Sequence, residues 1–345
     1  MIKSMKPRSA NSPVLLEVKN FLASCKNVGA GIIVGVSGGS DSVGLVHALA
    51  CQIKKDAVSK LIVAHVNHAS RGAENDADEV FVRHSVEKLR EVTDALVEYK
   101  TIKLNPDDLN VGASWEKNAR QARYKWFSEI AIENKVNWVF TAHTSNDQAE
   151  TVLMRILRGT GVQGLGGIKP KRSLTKGVGL GRPLLFCSKE QIFDYLRGNN
   201  IVWREDPSNQ QTRFLRNKIR LHLLPLLKSE YQPAIERILA GLSGHVHAYA
   251  SLEKRLARKI GLKLEKPRVL DQVVLDRAAV SMVPAWKLSL FLRSLFARES
   301  WPTDAIHHIQ WKKIAQNMAI DGDEVHLAGG IRIQSNRYTV VLGPT

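Results

Sequence analysis

Cysteine is scarce in this chain: 345 residues hold three, and Cys25, Cys51 and Cys187 stand far apart. They make neither a disulfide framework nor a CxxC pair, which points to a reducing compartment. Long apolar runs are missing as well. None approaches the roughly 18 residues a membrane helix needs, and no uninterrupted apolar segment follows Lys3, Lys6 and Arg8. The expectation is a cytoplasmic protein with neither secretory signal nor membrane association. Acidic residues are few, 33 against 50 Lys plus Arg, for a net charge of +17. Hydrophobic content of 44% and charged content of 24% exclude disordered, collagen-like and coiled-coil classes.

The basic excess suggests a polyanionic partner such as nucleic acid, with a merely soluble basic enzyme as the alternative. Its distribution is uneven. Residues 1–167 carry a net +3, residues 168–225 a net +8 and residues 226–345 a net +6. The length suits two domains, with a boundary expected at 225, giving 1–225 and 226–345.

The front half alternates strand and helix patterns. Gly31 to Val36 and Leu61 to Val66 are β-branched apolar runs of the kind buried on both faces. Leu96–Leu104 and Trp138–Ala142 read as further strands. Helical spacing covers Val43–Cys51, Asn75–Arg90, a segment from a Ser114 cap to about Glu133, and Asp147–Leu157. This rhythm predicts an α/β fold with a covered parallel sheet. Five glycines follow within Arg158–Gly167, then a basic loop to Arg182. Gln191–Asn199 reads as a helix, Asp206–Asn209 as a turn, and Arg213–Leu224 as a basic helix stopped by Pro225. Beyond Tyr231 the pattern is mostly helical, over Ile235–Ile260, Gln272–Ala297 and Thr303–Ala319, and it closes with a small β-hairpin or meander.

The chemistry begins at Ser37-Gly38-Gly39-Ser40-Asp41-Ser42, placed between a strand and a helix. Backbone N–H groups and the positive end of the helix dipole converge there, which suits phosphate. A tight turn capped by serine is the plain alternative. The loop lacks the Lys of a Walker A motif. It carries Asp41 instead, an anion among phosphates that makes sense only if Mg²⁺ bridges them. In Asp147-Gln-Ala-Glu150 the i, i+3 spacing puts two carboxylates on one helix face, as an ammonium or a departing proton would need. His143 falls at a strand's carboxyl end, where open α/β sheets bind ligands. His65 and His68 have no clustered Cys or His partners, which argues against a zinc site. Arg120 and Arg123 share a helix face suited to phosphate or developing negative charge; a solvated face is the alternative.

In order along the chain come Ser37–Ser42, His65-Val-Asn-His68 with Arg71, Asn118–Tyr124, Thr141–Thr151, Arg158–Gly167, Arg182-Pro-Leu-Leu185, and Asp206–Asn209 before Arg216–Arg220. This series resembles the bacterial tRNA(Ile)-lysidine synthetase family of PP-loop, N-type ATP pyrophosphatases. The resemblance implies a PP-loop nucleotide-binding domain followed by a smaller, mostly helical domain with a C-terminal β-hairpin. It also implies a two-step ligation: ATP adenylates the C2 oxygen of the wobble cytidine of CAU-anticodon tRNA(Ile), and the amine of free L-lysine then displaces AMP. ATP and Mg²⁺ would be the cofactors, and a homodimer is left open.

On that resemblance Ser37, Gly38, Gly39, Ser40, Asp41, Ser42 and His65 would bind ATP, with Asp41 on the metal. Asp41, Asp147, Glu150, Arg120 and Arg123 would be catalytic. His68, His143, Asp147 and Glu150 would line the cytidine and lysine pocket. Arg158, Arg182, Arg213, Arg216, Lys218 and Arg220 would meet tRNA. Thr144 and Asn146 depart from the family pattern, where a second His and a first Asp are usual. A PP-loop tRNA thiolase is disfavoured by the dispersed cysteines. A non-catalytic RNA-binding protein on a PP-loop scaffold is the alternative from another class.

Overall fold

The computed structural model describes residues 12–29, 31–53, 58–67, 73–105, 115–205, 215–302, 306, 308–318, 320, 322–327 and 329–345. The chain divides into two compact units, Met1–His245 and Val246–Thr345.

The first unit is built on a six-stranded sheet: β1 (Ile32–Gly35), β2 (Lys60–Asn67), β3 (Leu96–Lys103), β4 (Trp138–Phe140), β5 (Lys171–Thr175) and β6 (Val178–Gly181), in the order β3-β2-β1-β4-β6-β5. All neighbours pair in parallel except β5, which is antiparallel to β6. The β5–β6 hairpin replaces the basic loop expected before Arg182. The helices are α1 (Pro13–Ala23), α2 (Ser40–Gln52), α3 (Ala73–Leu89), α4 (Trp115–Glu133), α5 (Ser145–Leu157), the short α6 (Val162–Leu165) and α7 (Lys189–Gly198).

The continuous apolar character of β1 follows from cover on both faces. Ile32 and Val34 join Leu45 and Leu49 of α2 and Ile192 of α7, while Ile33 packs with Phe127 and Ile130 of α4. Because β1 has β2 on one side and β4 on the other, the chain leaves these two central strands in opposite senses. The crevice at their carboxyl ends is the switch point where such sheets accept ligands.

The basic helix expected to stop at Pro225 continues through it. Helix α8 (Leu215–Lys218) runs into a π turn over Ile219–Leu223, then α9 (Leu224–Leu226) and a second π turn over Leu227–Tyr231. The Leu224 N–H bonds to the Ile219 carbonyl, and this wider i→i+5 step relieves the crowding a proline ring imposes on the preceding turn. Leu227, Ile235 and Leu239 then pack with Ala149, Val152 and Ile219, so the chain beyond 225 shares a core with α5.

The second unit has its own core. Helix α10 (Ile235–Leu264) runs across the division. It is followed by β7 (Val273–Asp276), α11 (Arg277–Ser281), α12 (Ala285–Glu299), α13 (His308–Asn317), β8 (Glu324–Leu327), β9 (Ile331–Ser335) and β10 (Thr339–Pro344). The helix expected over Gln272–Ala297 is divided, because Val273-Val274-Leu275 joins the sheet and Pro284 caps a new helix. The closing hairpin widens into a four-stranded antiparallel sheet, β7-β10-β9-β8. Phe296 meets Trp301 and Trp311 edge-on at 5.0 and 4.9 Å, so these two tryptophans pack in the core, whereas Trp286 is exposed.

Candidate active site

A cavity of about 700 Å³ opens at the switch point in the first unit. One wall is the turn after β1. Gly38 adopts φ +93°, a left-handed conformation that favours glycine, and its carbonyl accepts the Arg204 N–H at 3.0 Å. The Ser42 hydroxyl donates to the Gly39 carbonyl at 2.9 Å and accepts the Ser37 N–H at 3.1 Å, which holds the turn closed. Gly39 is the N-cap of α2 and supplies no side chain to satisfy the first amides, which remain available to an anion.

Three helices bring their first turns to this cavity: α2 through Asp41, α5 through Asp147 and α7 through Lys189. Asp41 lies 4.0 Å from the Lys189 amine. Burial pushes its carboxyl up to about 6, opposed by Lys189 and reinforced by the charge of Asp147. His65 is buried, and its Nδ1–H donates to the Val36 carbonyl at 2.9 Å. Burial holds its pKa down, so the ring is neutral at pH 7. Trp203 and Phe193, with ring centroids 5.5 Å apart, form an aromatic side of the same cavity, beside an Arg204–Asp78 ion pair at 2.6 Å.

The α5 motif is tied down on every side. Thr144 caps the helix, its N–H donating to Asp147 Oδ2 at 2.9 Å while the Asp147 N–H bonds to the Thr144 hydroxyl. This capping box accounts for threonine at 144. Arg216 donates to Asp147 Oδ1 at 2.7 Å and to Glu150 Oε2 at 2.7 Å, and Arg220 binds both Glu150 oxygens. Burial would raise the Asp147 carboxyl, but Arg216, His143, the Thr144 N–H and Arg220 together bring it below its ordinary value. Burial pushes the His143 pKa down to about 3, with Arg182, Arg120 and Arg216 adding to the fall against the Asp147 charge, so its ring stays neutral.

The expected carboxylate pair thus shares one helix face, but that face is filled by arginines of the chain itself. Glu150 is only 2% exposed and lies behind the cavity wall, whereas Asp147 and Arg220 line it. Arg216 and Arg220, expected to meet tRNA, are engaged in these ion pairs. Arg182 is buried, its guanidinium bonded to the Lys169 carbonyl. Arg158 and Lys218 are exposed, Arg123 lines the cavity and Arg120 stands outside it. His68 and Arg213, like the Ser114 cap and the turn at 206–209, lie outside the described residues.

Several site residues escaped the sequence reading. Lys189, Phe193, Trp203 and Arg204 reach the cavity because α7 and the segment after it pack over the loop. Gln148 is fully buried and bonds to the Gly166 and Ile168 carbonyls, the Ile168 N–H and the Ser243 hydroxyl, pinning the glycine-rich loop. Asn146 accepts the Lys189 N–H at 3.0 Å and so links the start of α5 to that of α7. A conspicuous polar side chain inside an amphipathic helix was the available signal for Gln148.

A model of the PP-loop domain matches residues 11–227 of this chain. The chain belongs to the PP-loop domain family. Among curated PP-loop relatives, a tRNA(Ile)-lysidine synthase of Solibacter usitatus is 40% identical over 232 residues, 66% of this chain and 46% of that protein. A tRNA(Ile)-lysidine synthase of Clostridium acetobutylicum is 34% identical over 315 residues, 90% of this chain and 65% of that protein. The chain therefore spans about half to two thirds of the length of these relatives. The U34-tRNA thiolase NcsA of Methanococcus maripaludis shares the fold, with a TM-score of 0.54 at 20% identity over 68% of this chain and 78% of that one. Among the described residues, no helix is long and apolar enough to cross a membrane.

Proposed function

We propose that this PP-loop protein ligates L-lysine to C2 of the wobble cytidine in CAU-anticodon tRNA(Ile), consuming ATP and releasing AMP and pyrophosphate. The observation that carries the reading is that one cavity is lined by both the phosphate-type loop at Ser37–Ser42 and the Thr141–Asp147 segment. The two halves of an adenylation-and-attack reaction therefore have a common chamber. The names and extent of the relatives support the same choice of substrate.

In this reading the amides at the start of α2 and the hydroxyls of Ser37 and Ser40 hold the phosphates of ATP. The cytidine C2 oxygen attacks the α-phosphorus and pyrophosphate departs. Arg123, on the cavity wall, stabilises the negative charge that develops at the transferring phosphoryl group. The lysine ε-ammonium gives up a proton to solvent water, the free amine attacks C2, and a second proton passes to water as AMP leaves with the oxygen. Asp41 is short of compensating positive charge, which fits a hard divalent cation. Among the described residues no group of three or more His, Cys, Asp or Glu forms a cage, so phosphate oxygens would complete such a site. Magnesium bound with ATP would supply charge neutralisation there.

His143 and Asp147 then act without changing protonation. A neutral imidazole beside an ionised, arginine-bound carboxylate orients by hydrogen bonding and is a poor general base. Asp147 and Glu150 remain the carboxylates proposed for the lysine ammonium, reached by exchange with Arg216 or Arg220. Mass spectrometry of the transcript incubated with ATP, Mg²⁺ and lysine tests the reading. One lysine joined with loss of water is expected at the wobble cytidine. An unchanged transcript, or exchange of oxygen for sulfur, would overturn it.

A further inference from the structure

Tyr124 of α4 is surrounded by guanidinium groups. Arg172 of β5, Arg120 and Arg123 lie with their central carbons 5.0, 5.2 and 5.6 Å from its ring centroid, and the buried Arg182 adds its charge to the same group. None of Arg120, Arg172 and Arg182 has a carboxylate partner among the described residues. Like charges gathered this closely repel one another, and the ring's cation–π attraction offsets only part of that. A bound anion would offset the rest.

The support is rigid. Tyr124 packs against the core formed by Phe127, Val178 and Leu180, so the ring and the stretches of α4 and the β5–β6 hairpin that carry the arginines are held by that core. Their exposure is graded. Arg123 lines the cavity, Arg120 and Arg172 are exposed, and Arg182 is buried with one nitrogen on the Lys169 carbonyl. A series of donors leading from cavity wall to surface suits a polyanion that enters the cavity and continues out of it.

We propose that Arg120 and Arg172 on the Tyr124 platform form a clamp for successive backbone phosphates of the RNA whose base enters the cavity, while Arg123 beside them stays with the transferring phosphoryl group. Arg182 supplies fixed background charge. The inference rests on the proposed RNA substrate; it adds Arg172, which lies in none of the sequence motifs, and gives Tyr124, the last residue of the Asn118–Tyr124 motif, the part of a platform.

The test is binding of a labelled CAU anticodon stem-loop to the full chain across a salt series, without ATP or lysine. Each lost phosphate contact lowers the slope of log Kd against log salt by about 0.7 to 0.9. The double variant Arg120→Ala/Arg172→Ala should therefore lose about 1.4 to 1.8 of slope. Arg172→Ala alone, at an exposed strand position where folding is not at stake, should lose about half of that. Arg172→Lys should keep the parental slope. Parental slopes in both alanine variants overturn the clamp, and so does a parent chain that does not bind the stem-loop. Weakened binding of inorganic pyrophosphate with unaltered RNA binding would assign the cluster to pyrophosphate and also overturn it. Lysidine formation is scored separately. A cluster-dependent slope in a chain that makes no lysidine upholds the clamp and rejects the ligase reading; lysidine formation with unaltered slopes does the reverse.

Discussion

At the residue scale, Asp41 shows how the site trades stability for chemistry. Its carboxyl titrates near 6 in the folded chain, against an ordinary value of 3.8. Between those values the folded state retains a proton that the unfolded state has lost. Stability therefore falls as pH rises through this window and stays lower above it. Asp41→Asn should stabilise the protein by about 1–3 kcal/mol near pH 7.5 and by almost nothing near pH 3.5, as denaturant titrations at the two pH values would show. A variant no more stable than the parent at the higher pH would contradict the burial argument. ATP affinity in the same variant should fall. Asp41 was legible in the sequence because its turn sits between an apolar run and a helix. Lys189, 4.0 Å from it, was not, since nothing local to residue 189 says that α7 begins at the same cavity.

At the scale of elements, α5 was read with nearly its observed bounds, and its i, i+3 carboxylates do share a face. Spacing within a helix reports which side chains are neighbours, but not what is packed against them. Here the neighbours are Arg216 and Arg220, far along the chain and displayed by a helical run whose π turns let it pass Pro225. Proline as a helix stop is a rule about ordinary α turns, which is why that boundary was misread. Glu150→Gln would leave two arginines facing a carboxamide that cannot balance their charge. Breaking a buried pair on one side costs 3–5 kcal/mol in general, and the partial exposure of both arginines reduces this to about 2–4 kcal/mol. Equilibrium unfolding should register that loss in the first unit. Stability within about 0.5 kcal/mol of the parent would mean that the cluster is solvated in solution.

At the scale of the molecule, two separate cores predict two unfolding events. One involves the sheet of β1 to β6 and the other the Phe296–Trp311 core. An ATP analogue at about 100 times its Kd should stabilise only the first, by about 2.7 kcal/mol, so calorimetry should show one transition moving and one standing still. Equal movement of both would refute independent cores. The α/β character of the first unit was readable from buried strand runs, whereas β7 was hidden by its position beside strong helix formers. Charge counting was the least informative guide to the cavity: residues 1–167 carry only +3 in side chains. The starts of α2, α5 and α7 gather there, each with a partial positive charge of about one half from its aligned peptides. Backbone dipoles have no ionisable proton and no amine to acetylate. The pull on a polyphosphate is thus inherited with the fold itself, and it would outlast modification of every lysine on the surface.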